Sequence, residues 1–119
     1  MKTMTIQLRT GTMMNMDSNV AIKLTEAALD KGYDVRIFGY GEGVWLIKAG
    51  QEPKRFPNVG EEAKKLVETG KVEVTVCNTC TTARGFRRGE EIPGMKIGSL
   101  TNDLSRFVAE SDRMVTIAR

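Results

Sequence analysis

The sequence predicts an α/β protein with a three-layer α/β/α architecture, in which helices cover both faces of a parallel sheet of about five strands. The first observation is a set of short apolar or alternating segments with the composition of strands. These segments are residues 3–9, 33–38, 72–76, 95–99 and 113–118. The second observation is that helical patterns lie between them, and strands that alternate with helices at this spacing form β-α-β units with parallel strands.

Three helices are expected from apolar stripes and capping residues. The first follows a loop that ends in Asp17 and Ser18, both good N-cap residues. The second covers about residues 59–69, and a glycine follows it. In the third, Thr101 is the expected cap, and Leu104, Phe107 and Val108 are expected to point inward.

Three polar residues fit poorly with a fully covered parallel sheet. Strands that are buried on both faces usually read as continuous apolar runs, whereas Gln7, Glu73 and Thr75 interrupt the predicted strands. A partly exposed face, a sheet edge or cover from another subunit would each explain these residues.

The composition fits one compact domain that covers residues 1–119. The chain is long enough to bury a core without disulfides or metals, and its formal net charge is +3. No apolar stretch approaches the roughly 20 residues that span a bilayer, and the polar N-terminus lacks the apolar region of a signal peptide. We therefore expect a cytoplasmic protein without a membrane partner. The mild charge gives little support to nucleic-acid binding.

The sequence contains no histidine and only two cysteines. A serine–histidine or cysteine–histidine hydrolase is therefore excluded, and so is a zinc site of mixed cysteine and histidine ligands. Two cysteines cannot complete a four-cysteine site in one chain, although two chains could share one. In a reducing compartment, a close cysteine pair is more often reactive or metal-binding than a structural disulfide.

Both cysteines lie in the segment VCNTCTTARGFRRG, residues 76–89. Cys77 directly follows the third predicted strand, and reactive groups of parallel sheets collect at the carboxyl ends of the strands. If a helix begins near residues 78–80, its free N–H groups and the nearby Arg84 favour the thiolate form of Cys77. A thiol that is already ionised needs no histidine to act as a nucleophile.

Each of these residues also has a simpler interpretation. Buried cysteines are common as small core residues, but the strand end, the helix start and the basic cluster together favour a reactive Cys77. Cys80 is either a resolving partner for Cys77 or an ordinary helix residue. Arg84, Arg87 and Arg88 either stabilise an anion at the thiols or belong to a solvated surface.

Other residues at the same edge of the sheet have two interpretations. Met13, Met14 and Met16 form either an adaptable docking or oligomer surface or part of the local core. Trp45, the only tryptophan, is either the anchor of a subunit contact or a core residue. The segment GYGEG, residues 39–43, lacks the spacing of a dinucleotide-binding loop. Its glycines are expected to permit tight turns at the active edge.

The segment VTVCNTCTTARG, residues 74–85, resembles the DsrE/TusD family of small sulfur-carrier and sulfurtransferase proteins. In that family a strand ends in a cysteine that accepts sulfur as a persulfide, and the following helix contains Arg-Gly; the matching positions here are Cys77 and Arg84-Gly85. The resemblance covers nearly the whole chain and includes the Y-x-E-G-V stretch at residues 40–44. The C-x-x-C-x-x-x-R-G variant is similar to the single-gene, DsrE-like members rather than to the subunits of larger relay complexes.

The resemblance implies a DsrEFH-like fold with five parallel strands and assembly into a homo-oligomer, a trimer or a hexamer. It also implies an active cysteine near a subunit interface and sulfurtransferase-type chemistry with sulfur donor and acceptor proteins. The second cysteine departs from the relay subunits, so that Cys77, Cys80 or both can carry the sulfur.

The leading hypothesis is a sulfur carrier in which the Cys77 thiolate takes the outer sulfur of a donor persulfide and a partner thiol then removes it. Backbone N–H groups and Arg84 would hold the persulfide, and no metal, nucleotide or flavin cofactor is required. Formation of a Cys77–Cys80 disulfide would instead release the sulfur as sulfide. The alternative is a non-enzymatic oligomeric module that senses thiol state through the pair, and a third hypothesis is a metal or iron–sulfur site shared between chains.

Overall fold

The computed structural model describes residues 2–13 and 15–119, and it confirms the predicted sheet of five parallel strands with helices on both faces. The strands are β1 (Lys2–Leu8), β2 (Tyr33–Gly39), β3 (Val72–Cys77), β4 (Lys96–Gly98) and β5 (Arg113–Ile117). The α-helices are α1 (Asp17–Asp30), α2 (Val59–Glu68), α3 (Asn78–Ala83) and α4 (Ser105–Glu110). A 3₁₀ helix covers Gly41–Ile47, and a π-helical turn at Leu100–Leu104 leads into α4. No helix in the described ranges has the length and apolar character needed to cross a membrane.

The strand order is β4-β3-β2-β1-β5, and all neighbouring strands are parallel. Crossovers between parallel strands are right-handed, so connections that run in one direction along a sheet place their helices on one face. The steps from β1 to β2 and from β2 to β3 therefore place α1 and α2 together on the first face. The return step from β4 to β5 places α4 on the opposite, second face.

The main apolar core lies between the first face, α1, α2 and the 3₁₀ helix. Alternate residues of the strands point into it, and three apolar residues of the 3₁₀ helix close it at the carboxyl edge. Among its fully buried members are Ile6, Leu8, Ile37, Val74, Val76, Val44, Leu46 and Ile47. Burial of each such side chain contributes about 1.5–3 kcal/mol, so this core fixes the arrangement of the strands.

The second face is more polar and more thinly covered, which explains the polar residues in the predicted strands. Gln7, Glu73 and Thr75 all alternate with core residues and therefore lie on this face. Glu73 forms an ion pair with Arg106 of α4, with Oε2 and Nη2 2.6 Å apart. Thr75 is fully buried, and its hydroxyl oxygen has no hydrogen-bond partner among the residues described. A partly exposed face thus accounts for Gln7 and Glu73, whereas Thr75 is buried on that face.

One buried aromatic residue and several charged groups hold α4 against the second face. Phe107 packs edge-to-face on Phe38 of β2, with ring centroids 6.3 Å apart. The guanidinium groups of Arg36 and Arg106 lie over the Phe107 ring, with their Cζ atoms 5.5 Å and 4.9 Å from its centroid. Arg36 also pairs with Glu110 at the end of α4.

The predicted N-caps of α1 are wrong. The helix begins at Asp17 without a side-chain cap, because the two polar side chains contact the loop after β1 instead of the helix N–H groups. The Asp17 carboxylate accepts hydrogen bonds from Thr10 and Arg119, and the Ser18 hydroxyl donates to the carbonyl oxygen of Gly11. These contacts tie the start of α1 to the ends of β1 and β5.

The predicted cap of the last helix is also wrong. Ser99, two residues before Thr101, caps the π-helical turn, and its hydroxyl accepts a hydrogen bond from the Asn102 N–H at 2.9 Å. The helical segment therefore begins at Leu100, earlier than the sequence pattern indicated.

Asp103 joins this last helical segment to the end of β4. It is 5% exposed and accepts hydrogen bonds from the Ser99 N–H and from Lys96 Nζ, each at 2.8 Å. Burial raises the pKa of the Asp103 carboxyl, but the hydrogen bonds from Lys96 and Ser99 outweigh this effect, so that the pKa lies below its ordinary value.

Asp103 and Phe107, one turn apart, face the sheet. Val108 therefore lies at the side, 48% exposed, and the prediction that it points inward is wrong.

We expect Asp103→Asn to lower the free energy of unfolding by about 1–3 kcal/mol at pH 7, because the amide matches the surrounding donors poorly. The folded-state pKa lies below the ordinary 3.8. The stabilisation is therefore complete above that value and is lost as the pH falls through the folded-state pKa. Urea unfolding at pH 7 and at decreasing pH measures the difference, with Asp30→Asn, an exposed site at the end of α1, as the control. A difference that does not shrink in acid would contradict this assignment.

Candidate functional site

Cys77 ends β3 and precedes α3, as the sequence predicts, but its thiol is enclosed. It pairs with Gly98 of β4 in the sheet and is 3% exposed. Its side chain belongs to an apolar cluster on the second face together with Phe38 and Phe107. It precedes the six residues of α3 with an extended backbone and makes no capping hydrogen bond with its side chain. A donor molecule in solution therefore has little access to Cys77 in this conformation.

Cys80 lies three residues further on α3 and is half-buried. Its Sγ accepts a hydrogen bond from the Gly41 backbone N–H, with N and Sγ 3.2 Å apart. Burial raises the pKa of the Cys80 thiol above its ordinary value of 9.0, and its contact with Cys77 also raises it, whereas the Gly41 N–H and the charge of Arg84 favour the thiolate. Both thiols are free. The more accessible thiol of the pair is thus the one that receives a backbone donor.

Gly41 places its N–H at Cys80 because the chain turns sharply after β2. Its φ of +62° lies in the left-handed region that favours glycine. Gly43 follows in the same 3₁₀ helix, where a Cβ atom would collide with the carbonyl group of Leu8. The tight turns expected from the GYGEG segment are confirmed at these two positions.

Arg84 connects the helix that contains Cys80 to the 3₁₀ helix after β2. Its Nη1 donates to the carbonyl oxygen of Cys80 at 3.0 Å, and its Nε donates to Glu42 Oε2 at 2.8 Å. Glu42 also accepts a hydrogen bond from Trp45 Nε1 at 3.2 Å. The bond from Arg84 lowers the pKa of Glu42, so its carboxylate is ionised at neutral pH. The sequence pattern predicts Arg84 near the thiols but assigns no role to Glu42.

The other two arginines of the basic cluster point elsewhere. Arg88 Nη1 donates to the carbonyl oxygen of Ile97 in β4 at 2.7 Å, and Arg87 is exposed beyond the turn that follows α3. Neither contributes a hydrogen bond to the thiols. Of the three arginines, Arg84 alone contacts the Cys80 segment.

The methionines and the tryptophan at this edge have different surroundings. Met13 is 46% exposed and Met16 is 55% exposed, which favours the surface interpretation over the core for both, while Met14 lies outside the described residues. Trp45 is half-buried and stacks on Phe86, with ring centroids 5.5 Å apart. In the described part of the chain, no three acidic, histidine or cysteine residues cluster in a way that suits a metal ion.

The model of the DsrE/DsrF-like family matches residues 2–117 of the chain. Among curated proteins, the uncharacterized protein MJ0989 of Methanocaldococcus jannaschii is 40% identical over 96 residues, 81% of this chain and 82% of that protein. The uncharacterized protein MK0008 of Methanopyrus kandleri is 36% identical over 95 residues, 80% of this chain and 77% of that protein.

Two solved structures share the fold. The ychN protein from E. coli superposes with a TM-score of 0.81 at 25% identity, covering 98% of this chain and 99% of that chain. The protein MTH1491 from Methanobacterium thermoautotrophicum superposes with a TM-score of 0.80 at 12% identity over the same shares, which shows likeness of fold alone.

We expect iodoacetamide to modify Cys80 before Cys77 in the native protein, because Cys77 is enclosed. The rate at Cys80 should rise with pH beyond the range of an ordinary thiol, since its pKa is raised. Arg84→Gln should move the profile to higher pH, because it removes the charge that favours the thiolate, whereas Arg84→Lys should move it less. Fragment masses of the tryptic peptide that contains both cysteines measure each site. Faster modification of Cys77 would contradict the assignment.

Proposed function

Because the chain belongs to the DsrE/DsrF-like family, we propose that it is a sulfur carrier of the sulfurtransferase type. In this proposal the Cys77–Cys80 pair accepts sulfane sulfur as a cysteine persulfide and passes it to a partner thiol. The observation that carries the proposal is the half-buried Cys80 thiol with the Gly41 N–H at 3.2 Å, one helical turn from a second free thiol. A cysteine that only filled the core would need neither the backbone donor nor the neighbouring thiol.

Exposure favours Cys80 as the thiol that meets the donor. The Cys80 thiolate attacks the outer sulfur of a persulfide R–S–SH, the sulfur–sulfur bond of the donor breaks, and R–S⁻ leaves with its electron pair. The product is Cys80–S–SH, and the Gly41 N–H is placed to stabilise negative charge at this position. Assignment of the sulfur to Cys77, as the resemblance implied, requires a conformation in which α4 uncovers that thiol.

The persulfide has two routes onward. In the relay, a thiolate of the acceptor protein attacks the outer sulfur and regenerates Cys80. In the release, the Cys77 thiolate attacks the Sγ of Cys80, HS⁻ leaves, and a Cys77–Cys80 disulfide forms. The second route oxidises two thiols and reduces one sulfane sulfur to sulfide, so the next cycle needs a dithiol reductant. Residues three apart in a helical turn have Cβ atoms about 5–6 Å apart, and a small change at the start of α3 allows the disulfide.

The same pair suits the alternative function, a non-enzymatic module that senses thiol state through disulfide formation. A sensor would change its assembly or its partner when oxidised and would take up no sulfur. The cytosol is the compartment that we propose for either function, because a reducing compartment returns the pair to free thiols after each oxidation.

Sulfur uptake separates the two functions. We expect intact mass spectrometry to show a gain of one sulfur atom after incubation of the protein with a persulfide donor. The gain should persist in Cys77→Ser and vanish in Cys80→Ser, because Cys80 accepts the sulfur. Loss in Cys77→Ser alone would move the acceptor role to Cys77, and absence of uptake in the wild-type protein would favour the sensor.

We further propose that the protein forms a homo-oligomer through the outer face of α4. Leu100, Leu104 and Val108 lie four residues apart along this helical segment and form an apolar stripe, in which Leu100 is 41% and Val108 48% exposed. We propose that a second copy of the chain packs against this stripe. Donor and acceptor proteins would then reach the cysteines beside this subunit interface.

Val108→Asp should reduce the molar mass of the assembly, because a carboxylate in the buried stripe is costly to desolvate. Light scattering after size-exclusion chromatography measures the mass, and circular dichroism confirms the fold. Ala27→Asp, at an exposed position of α1, is the control and should leave the mass unchanged. A monomeric wild-type protein, or an unchanged mass in Val108→Asp, would contradict this interface.

A further inference from the structure

The strand order of the sheet changes direction at β1. The chain moves from β1 to β2 on one side, and the last crossover adds β5 on the other side. In open α/β sheets, ligands bind at the carboxyl ends of the strands where such a reversal leaves a crevice. The structure has a cleft of about 450 Å³ at this place, between the loop after β1 and the residue Arg119 beyond β5.

The lining of the cleft combines apolar surface with positive charge. Met13 and Trp45 supply apolar surface, and Arg9 and Arg119 supply guanidinium groups. The Arg119 guanidinium is held by two hydrogen bonds to the Asp17 carboxylate, each 3.1 Å long.

Of the two arginines that line the cleft, Arg9 is the one that can pair with an anionic ligand. It forms no ion pair with any residue of the described ranges, and its Cζ lies 5.8 Å from the centre of the Tyr40 ring. Glu42, the acidic residue of the lining, is already bound by Arg84, so its charge is compensated. The cleft therefore favours a small molecule with an apolar chain and one anionic end.

Adjacent residues of the 3₁₀ helix contact the cleft and the Cys80 thiol, and the thiol itself lies outside the cleft lining. Glu42 borders the cleft, and the N–H of the preceding residue, Gly41, donates to Cys80 Sγ at 3.2 Å. Adjacent strands lie about 4.8 Å apart, so the ends of β1 and β3, two spacings away, are on the order of 10 Å apart. An arginine side chain and a ligand with a short carbon chain together cover this distance.

We propose that the cleft binds the carboxylate end of a low-molecular-weight persulfide, with Arg9 as its ion-pair partner, and so presents the outer sulfur to Cys80. The inference rests on the proposed function and names the donor as a small carboxylated persulfide. Cys80 forms a bond to the outer sulfur, the sulfur–sulfur bond of the donor breaks, and the donor leaves as a thiolate while its carboxylate is still held at Arg9.

Binding is tested without sulfur transfer by two unreactive thioethers, 3-(methylthio)propionate and the neutral 3-(methylthio)propanol. Trp45 lines the cleft and is the only tryptophan, so its fluorescence reports occupancy. We expect the carboxylate to bind more tightly, by on the order of five-fold. Arg9→Gln should abolish this preference, and Arg9→Lys should retain part of it. The preference should also decline as salt is added.

Arg113→Gln is the matched control, because Arg113 lies at the amino end of β5, at the opposite edge of the sheet from the cleft. It removes the same charge and should leave the preference unchanged. Equal affinity for the two thioethers in the wild-type protein, or an equal loss in Arg9→Gln and Arg113→Gln, would overturn the proposed site.

Transfer is tested with the persulfides of 3-mercaptopropionate and 3-mercaptopropanol, followed by intact mass. The ratio of the two rates should favour the carboxylate in the wild-type protein by on the order of five-fold and fall towards one in Arg9→Gln. If both donors transferred sulfur at equal rates, the proposed carboxylate site in the cleft would be wrong, whereas the proposed sulfur-carrier function would be supported. If neither donor transfers sulfur, the proposed function fails, while the thioether titrations still decide whether the cleft binds a carboxylate.

Discussion

The close approach of three backbone segments at the carboxyl edge of the sheet is the constraint on which the site depends. The loop after β2 turns back so tightly that a side chain at Gly39 would lie 2.6 Å from the Gly43 carbonyl oxygen and 2.8 Å from Val76 of β3. The chain then passes directly beside the end of β1 at Leu8. This contact brings the Gly41 N–H to the Cys80 thiol. A larger residue at Gly39 or Gly43 would move the donor away from the sulfur without changing either cysteine.

The handedness of the crossovers explains why the two thiols have different surroundings. The connections that carry α1 and α2 fill the first face with a thick apolar core, whereas the single return crossover leaves the second face to one short helix. Cys77 points towards that second face, under Phe107, and Cys80 lies one turn further towards the edge. The asymmetry of the pair is therefore a consequence of the topology.

The sequence predicts those parts of the structure that depend on local pattern. The strand that leads to Cys77 and the short helix that carries Cys80 follow from local pattern, and the structure confirms both, but the helix ends at Ala83 and Arg84 directly follows it. The bond between Gly41 and Cys80 joins residues 39 positions apart, and no local pattern reports such a contact. The wrong caps have the same cause: Asp17 is an adequate cap by type, but Thr10 and Arg119 from other elements compete for its carboxylate.

The contacts that hold the last helix have a consequence for the chemistry of the inner cysteine. Arg36 and Arg106 enclose the Phe107 ring and pair with Glu110 and Glu73, and these side chains are partly open to solvent. Dissolved ions screen such pairs within a Debye length of about 8–10 Å at ordinary ionic strength. α4 is thus held over Cys77 partly by charge at its margins, and we expect added salt to weaken this attachment.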